Sequence, residues 1–161
     1  SVTEAAQPTM WRLLRYDCDE LWMRDVPEQV LGAIAFYREE LALILDEIQS
    51  LPVDRPLLVE GASLLPAALV ALTGDRLKAL WMVPTEMCQK NWYSKRSWIH
   101  QVLRKCTDRE RAFELWMARD GQFALWIRAE AERLGQRVIV VDGQLSFEEV
   151  AARAAEMLGL T

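Results

Sequence analysis

Two carboxylates stand where an α/β protein commonly holds its ligand. Glu60 ends an apolar run that begins at Leu57, and Asp142 follows the run Arg137–Val141, with a glycine directly after each acid. Ligands of open α/β sheets bind beyond the carboxyl ends of the strands, where a carboxylate can hold Mg²⁺ or accept a proton. Asp-Gly is also a common turn, which we favour for Asp142. Glu60 precedes a helix-like segment, so it is the candidate functional acid.

Positive charge is concentrated in one segment of an acidic chain. Residues 85–106 contain five lysines and arginines against one acid, a local balance of +4 in a chain of net charge −5. The segment follows directly on a predicted strand. Its cations, among them Lys90, Lys95 and Arg96, therefore favour an anionic ligand such as phosphate. The alternative is a solvated helix face.

Aromatic side chains are interleaved with these cations. Trp92, Tyr93 and Trp98 could stack on the bases of a single-stranded nucleic acid. They are equally suited to the packing face of an amphipathic helix. The net negative charge of the whole chain makes nucleic acid an unlikely partner.

A further cation, Arg119, lies in an unusual place. The tripeptide Arg119-Asp120-Gly121 interrupts a helical run over residues 108–134. The interruption is either a kink that directs Arg119 at a ligand or a surface break between two helices.

Three strand-like runs position these residues: Leu57–Glu60, Lys78–Val83 and Arg137–Val141. Each is nearly continuous in apolar residues, as in strands covered on both faces. Helix-length segments separate them, so the connections are crossovers and the sheet is parallel. The sequence therefore predicts a single α/β domain over residues 1–161, a three-layer α/β/α structure. Capping boxes at Asp25 and Ser146 mark two helix starts.

Composition limits the class of protein. Of 161 residues, 52% are hydrophobic and 27% charged, which is typical of a soluble globular protein, and no apolar run is long enough for a membrane span. We therefore expect no membrane partner. Three cysteines without a C-x-x-C motif indicate reduced, buried side chains and a cytoplasmic location. One histidine and no cysteine cluster argue against a transition-metal site.

The order of these parts resembles the later two-thirds of a P-loop kinase, with the layout of shikimate, gluconate and nucleoside-monophosphate kinases. The stretches that carry the resemblance to an uncharacterised bacterial group of P-loop kinase-like proteins are "FYREELALILDEI", "RPLLVEGASLLP", "ALWMVPTEMCQ", "ELWMARDGQFA" and "RVIVVDG". Together they span essentially the whole chain.

The resemblance implies roles for the candidate residues. Glu60 would be catalytic and would face the Mg²⁺–phosphate site, and ATP and Mg²⁺ would be the cofactors. Lys90, Lys95 and Arg96 would be lid cations over the phosphates, with Arg119 as a further phosphate or nucleotide ligand. Arg38 and residues 9–24 would lie on the side of the small-molecule phosphate acceptor.

The diagnostic motif of these kinases is absent. No G-x-x-x-x-G-K-[ST] occurs in the sequence, and the resemblance places that loop and the first strand upstream of Ser1. Two hypotheses follow. The protein is either a small-molecule or nucleotide phosphotransferase when complete, or a non-catalytic scaffold that acts as a binding or interaction module.

The resemblance also predicts the order of strands. The strand of the phosphate loop would lie between residues 57–60 and 78–83, so these two would not pair directly. Residues 78–83 would pair instead with residues 137–141. Because unpaired buried backbone groups are costly, a missing N-terminal segment or a second chain would complete the sheet.

Overall fold

The structure, a computed structural model, is mostly helical and describes residues 2–52, 54–73 and 78–160. A short 3₁₀ turn (Leu103–Lys105) follows the sixth helix. None of the helices in these ranges is long and apolar enough to cross a membrane. The elements in chain order are α1 (Pro8–Leu13), α2 (Cys18–Trp22), α3 (Val26–Gln49), α4 (Pro66–Thr73), β1 (Trp81–Pro84), α5 (Glu86–Tyr93), α6 (Ser97–Val102), α7 (Arg109–Arg133), β2 (Val138–Val141) and α8 (Phe147–Leu158).

The two strands form a parallel sheet. Trp81 lies opposite Val138, and Pro84 lies opposite Val141. The predicted pairing of residues 78–83 with residues 137–141 is therefore confirmed, although both strands begin later than the sequence suggested. The apolar runs identified these strands because each is buried on at least one face against helices.

One edge of β1 has no strand beside it in the described ranges. The N–H groups of Trp81 and Thr85 donate to Arg137 and Val141 across the sheet, at 3.0 and 2.9 Å. Since hydrogen bonding alternates along a parallel strand, the N–H of Met82 points away from β2. No described residue accepts a hydrogen bond from it.

The predicted strand Leu57–Glu60 is wrong. These residues have no regular structure, and Leu57 and Leu58 are 54% and 77% exposed. An apolar run forms a buried strand only where a neighbouring strand pairs with it and both faces are covered, and neither condition is met here. The described residues therefore form no third strand and no three-layer arrangement.

Helix α7 is the longest element, with 25 residues. The predicted interruption at Arg119-Asp120-Gly121 is wrong, because these residues lie inside the continuous helix. α7 passes close to α5 at Gly121, where a Cβ would lie 3.4 Å from Cγ of Glu86. The glycine that suggested a helix break in the sequence thus lies at a helix–helix contact.

Two hydrophobic clusters pack against opposite halves of α7. The sheet cluster contains the buried residues Ile34, Leu65, Leu69, Trp81, Val83, Ala124, Ile127 and Ala131. The α6 cluster contains Ile99, Leu103, Cys106, Ala112, Trp116 and Met117. Burial of these side chains supplies the main driving force for folding.

Helix starts agree only in part with the predicted caps. The capping box of Ser146 and Glu149 is present. The predicted box at Asp25 is wrong, because its side chain makes no capping hydrogen bond. Glu28, its expected partner, accepts a hydrogen bond from Arg24 instead, at 3.0 Å. A capping box that the sequence did not predict begins α2, with Asp17 as the cap.

A disulfide joins two segments that are distant in the sequence. Cys18 at the start of α2 pairs with Cys106, 88 residues away, so the prediction of reduced cysteines is wrong for this pair. It is correct for Cys88, which is buried and free. The backbone N–H of Thr107 donates to Asp19 beside the crosslink, at 2.9 Å. Because disulfides persist in oxidising surroundings, the cytoplasmic location loses its main support.

Replacing both Cys18 and Cys106 by serine should lower the free energy of unfolding by about 4 kcal/mol, because the crosslink restricts a long loop of the unfolded chain. Urea unfolding of the oxidised wild type and of the double variant measures the difference. As a control, a reducing agent should reproduce the loss in the wild type and leave the variant unchanged. The denatured, unreduced protein should contain one free thiol, and three free thiols would contradict the pairing.

Candidate functional site

The predicted catalytic acid, Glu60, has no polar contact with another described residue. Glu60 is exposed in the segment that follows α3 and lines an open groove of about 520 Å³ with Ile44, Ile48 and Leu57. It has no hydrogen bond or ion pair with another described residue. Because Glu60 does not end a strand, the geometric reason for assigning it a role at the edge of a sheet is lost.

The predicted lid cations are exposed and engaged with their own neighbours. Lys90 forms an ion pair with Glu114 at 2.6 Å. Lys95 lies over the ring of Trp92 at 5.4 Å, and Arg96 lies over Tyr93 at 4.8 Å. These contacts are those of a solvated surface with cation–π pairs, which was the alternative reading of the segment.

The remaining predicted polar groups fall into different surroundings. Arg38 is exposed and has no ion pair with a described residue. Asp142 forms the expected turn, since it accepts a hydrogen bond from the Gln144 N–H at 2.9 Å and Gly143 has a φ of 87°. Of the individually predicted site residues, Arg119 lines a pocket between helices.

That space is a pocket of about 280 Å³ between α1, α2, α3 and α7, which we call the α3–α7 pocket. Its walls are mainly apolar, and its polar groups come from two arginines, a glutamine and a tyrosine. The lining residues are Leu13, Leu14, Leu21, Trp22, Arg24, Gln29, Ala33, Phe36, Tyr37 and Arg119.

The turn between α2 and α3 is held in place from inside. Gln29, which is 4% exposed, donates from its side-chain amide to the carbonyls of Trp22 and Arg24, at 3.2 and 2.8 Å. The Trp22 ring also stacks on Trp116 of α7, with centroids 4.2 Å apart. These contacts fix the pocket wall against α7.

Arg119 reaches the pocket from the middle of α7. Its guanidinium lies over the Trp22 ring, 5.4 Å from the centroid, and its side chain is 13% exposed. Nε lies 2.7 Å from Oδ1 of Asp120, but the angle is unfavourable, so this buried nitrogen makes an ion pair and no hydrogen bond.

Arg24 lines the same pocket. Its terminal nitrogen pairs with Glu28 at 3.0 Å, and its guanidinium lies over Tyr16 at 5.2 Å. Its Nε is buried without a hydrogen-bond partner, and such a donor costs about 1–3 kcal/mol. The Nε of Arg119, by contrast, has the Asp120 carboxylate as its ion-pair partner.

Asp120 and Tyr37 both have pKa values above the ordinary values for their side chains. Burial raises the pKa of the Asp120 carboxyl, and the neighbouring Arg119 offsets this only in part. The side-chain amide of Gln89 donates to Asp120 at 2.8 Å. Burial likewise raises the pKa of the Tyr37 phenol. Carboxylates retained at such a cost are concentrated at functional sites.

This arrangement can attract and orient an anion. Two guanidinium groups supply charge and donors, and mainly apolar walls strengthen electrostatic contacts by lowering the local dielectric. In the parts of the chain that the structure describes, no group of three histidines, cysteines or acids is placed to hold a metal ion.

Comparisons with protein-family models, with curated proteins and with solved structures gave no match. The functional argument therefore rests on the residues of this chain.

The sequence pointed to part of this pocket and missed the rest. Arg119 was selected individually from the sequence. Residues 9–24, which include Arg24, were assigned to the acceptor side by the resemblance. Gln29 and Tyr37 were not selected. They carry no motif, and the available signal was only that polar residues interrupt the apolar face of α3.

Asp120→Asn tests whether the buried carboxylate costs stability. A carboxyl whose folded pKa is above its unfolded value binds its proton more tightly in the folded state, so stability falls as pH rises through that window. We expect the variant to match the wild type below the ordinary Asp pKa of 3.8 and to be the more stable protein at neutral pH. Urea unfolding over a range of pH measures this difference.

The exposed Asp46 provides the matched control, since Asp46→Asn should change stability little at any pH. If Asp120→Asn is less stable than the wild type at neutral pH, the ion pair with Arg119 contributes more to stability than burial of the carboxylate costs, and the expectation is contradicted.

Proposed function

We propose that this chain is a binding module for a small organic anion, which is held in the α3–α7 pocket. The observation that carries the proposal is that the side chains of two arginines, Arg24 and Arg119, both line this mainly apolar pocket. A negatively charged ligand would accept charge-assisted hydrogen bonds from their guanidinium groups. This develops the hypothesis of a non-catalytic binding module.

The character of the walls supports an organic ligand. Leucine and aromatic side chains from α1, α2 and α3 form most of the lining, and small-molecule sites are typically apolar with a few convergent polar groups. The arginines are held by Glu28 and Asp120 before a ligand arrives. Such preorganisation reduces the entropy lost on binding.

Anion binding should raise the melting temperature of the chain. We expect stabilisation by benzoate or phenyl phosphate at millimolar concentration, because a ligand that binds only the folded state stabilises it by mass action. Arg24→Gln should abolish the shift, since it removes one charge and one donor. Differential scanning fluorimetry at constant ionic strength measures both effects.

Exposed cations provide the controls. Arg38→Gln and the double variant Lys95→Glu/Arg96→Glu should retain the full shift, because these side chains do not line the pocket. If the double variant loses the shift and Arg24→Gln retains it, the anion binds at the basic segment and the proposal is refuted.

A small-molecule or nucleotide phosphotransferase of P-loop kinase type is the second candidate, with the three-layer fold that it entails. Two observations favour it: the parallel register of β1 with β2, and the unpaired Met82 edge of β1, where a preceding segment or a second chain could add a strand. The α3–α7 pocket would then hold the phosphate acceptor. ATP and Mg²⁺ belong to this candidate alone, and the described residues do not bring together a metal site for them.

The chain of 161 residues by itself should not hydrolyse ATP or transfer its phosphate, because it has no glycine-rich loop to cradle the phosphates. A coupled assay for ADP release with Mg²⁺ present measures this. A magnesium-dependent rate that Glu60→Gln abolishes would favour the phosphotransferase over the binding module.

A further inference from the structure

The charge that faces the α3–α7 pocket is close to a single positive unit. Arg24 and Arg119 contribute two positive charges from the lining, and Asp120, which lies outside the lining, offsets one of them as the ion-pair partner of Arg119. The Glu28 side chain is 60% exposed, so water screens it from the pocket. One negative charge on a ligand complements this balance, whereas a second negative charge would be left without a partner in a partly desolvated site.

The donors available in the pocket match a two-oxygen head group. The side chains of Arg24 and Arg119 both line the pocket, and an ionised carboxylate offers two oxygens that accept only. Hydrogen bonds between guanidinium and carboxylate are charge-assisted and therefore strong. The phenol of Tyr37 is a further donor from the lining, and its raised pKa keeps it protonated at neutral pH.

The rest of the lining selects the body of the ligand. Leu13, Leu21, Trp22 and Phe36 present apolar surface, and covering such surface contributes about 25 cal/mol per Å². A bare head group would leave this surface in contact with water. The volume of about 280 Å³ limits the body to a single ring or a short branched chain.

We infer that the α3–α7 pocket takes a small hydrophobic monocarboxylate, with its carboxylate towards Arg24 and Arg119 and its apolar body against α1 and α2. The inference rests on the proposed function, and it names the class of ligand.

Calorimetric titration of the full, oxidised chain with four probes tests the inference. Phenylacetate carries both the head group and the body, acetate lacks the body, benzyl alcohol lacks the charge, and phenyl phosphate replaces the head group by a dianion at neutral to basic pH. We expect phenylacetate to bind at least about 10-fold more tightly than each of the others. One charge-assisted hydrogen bond and burial of one phenyl ring are each worth at least that much, and the second charge of phenyl phosphate would have no partner.

Variants assign the binding to this pocket. Arg24→Gln and the neutral pair Arg119→Gln/Asp120→Asn should each weaken phenylacetate binding at least about 10-fold. The second variant removes both charges, so it leaves no isolated buried ion to unfold the chain. Arg38→Gln is the matched control and should bind as the wild type does. Circular dichroism confirms that each variant is folded.

The outcomes separate the inference from the proposed function. If phenyl phosphate binds most tightly and the arginine variants lose it, the monocarboxylate is refuted and the anion-binding function stands. If acetate equals phenylacetate, the apolar body plays no part and the inference also fails. If benzyl alcohol equals phenylacetate, or if none of the probes binds, both the inference and the proposed function are refuted.

Discussion

Helix α7 must bury a charged pair between two hydrophobic clusters, and the other elements depend on this arrangement. Ala112 in the α6 cluster and Ala131 in the sheet cluster are both 0% exposed, at opposite ends of the helix. Arg119 and Asp120 lie between them. Since apolar side chains fix α7 on both sides, the pair cannot turn towards water without exposing one of the clusters. Gln89, Trp22 and the pocket are arranged around that pair.

Local signals in the sequence predicted the elements better than their assembly. The continuous apolar runs located both strands, and the capping box at Ser146 located α8, because each signal depends on residues close in the chain. Leu57–Glu60 has the same pattern and forms no strand, because a strand also needs a neighbour to pair with, and the pattern carries no information about that neighbour. The disulfide was missed for a related reason, since a separation of 88 residues reveals nothing about proximity.

The candidate site shows the same division between local signals, which the sequence carries, and the assembly of the fold, which it does not. Charge counting selected Lys90, Lys95 and Arg96 because they are dense in the sequence, yet exposed cations on short helices are satisfied by nearby rings and acids. Arg119 was identified for a reason that proved wrong, an interrupted helix, although its position in the middle of α7 directs it to the pocket. Arg24 had only a regional assignment, because its burial depends on the contact of Gln29 with the turn between α2 and α3. Buried charge is a property of the assembled fold.

The energetic cost of the pocket explains the position of the disulfide. The buried Nε donor of Arg24 has no hydrogen-bond partner, which costs about 1–3 kcal/mol, and ionised Asp120 adds a burial penalty, so the pocket opposes the packing of α2 against α7. The crosslink at Cys18 begins the same helix that carries Trp22, and closing its loop contributes about 4 kcal/mol. These magnitudes are comparable. The disulfide therefore offsets part of this cost and keeps α2, with Trp22, beside α7. Because a preorganised pocket loses less entropy on binding, the stability gained from a ligand should be at least as large in the oxidised protein as in the reduced one.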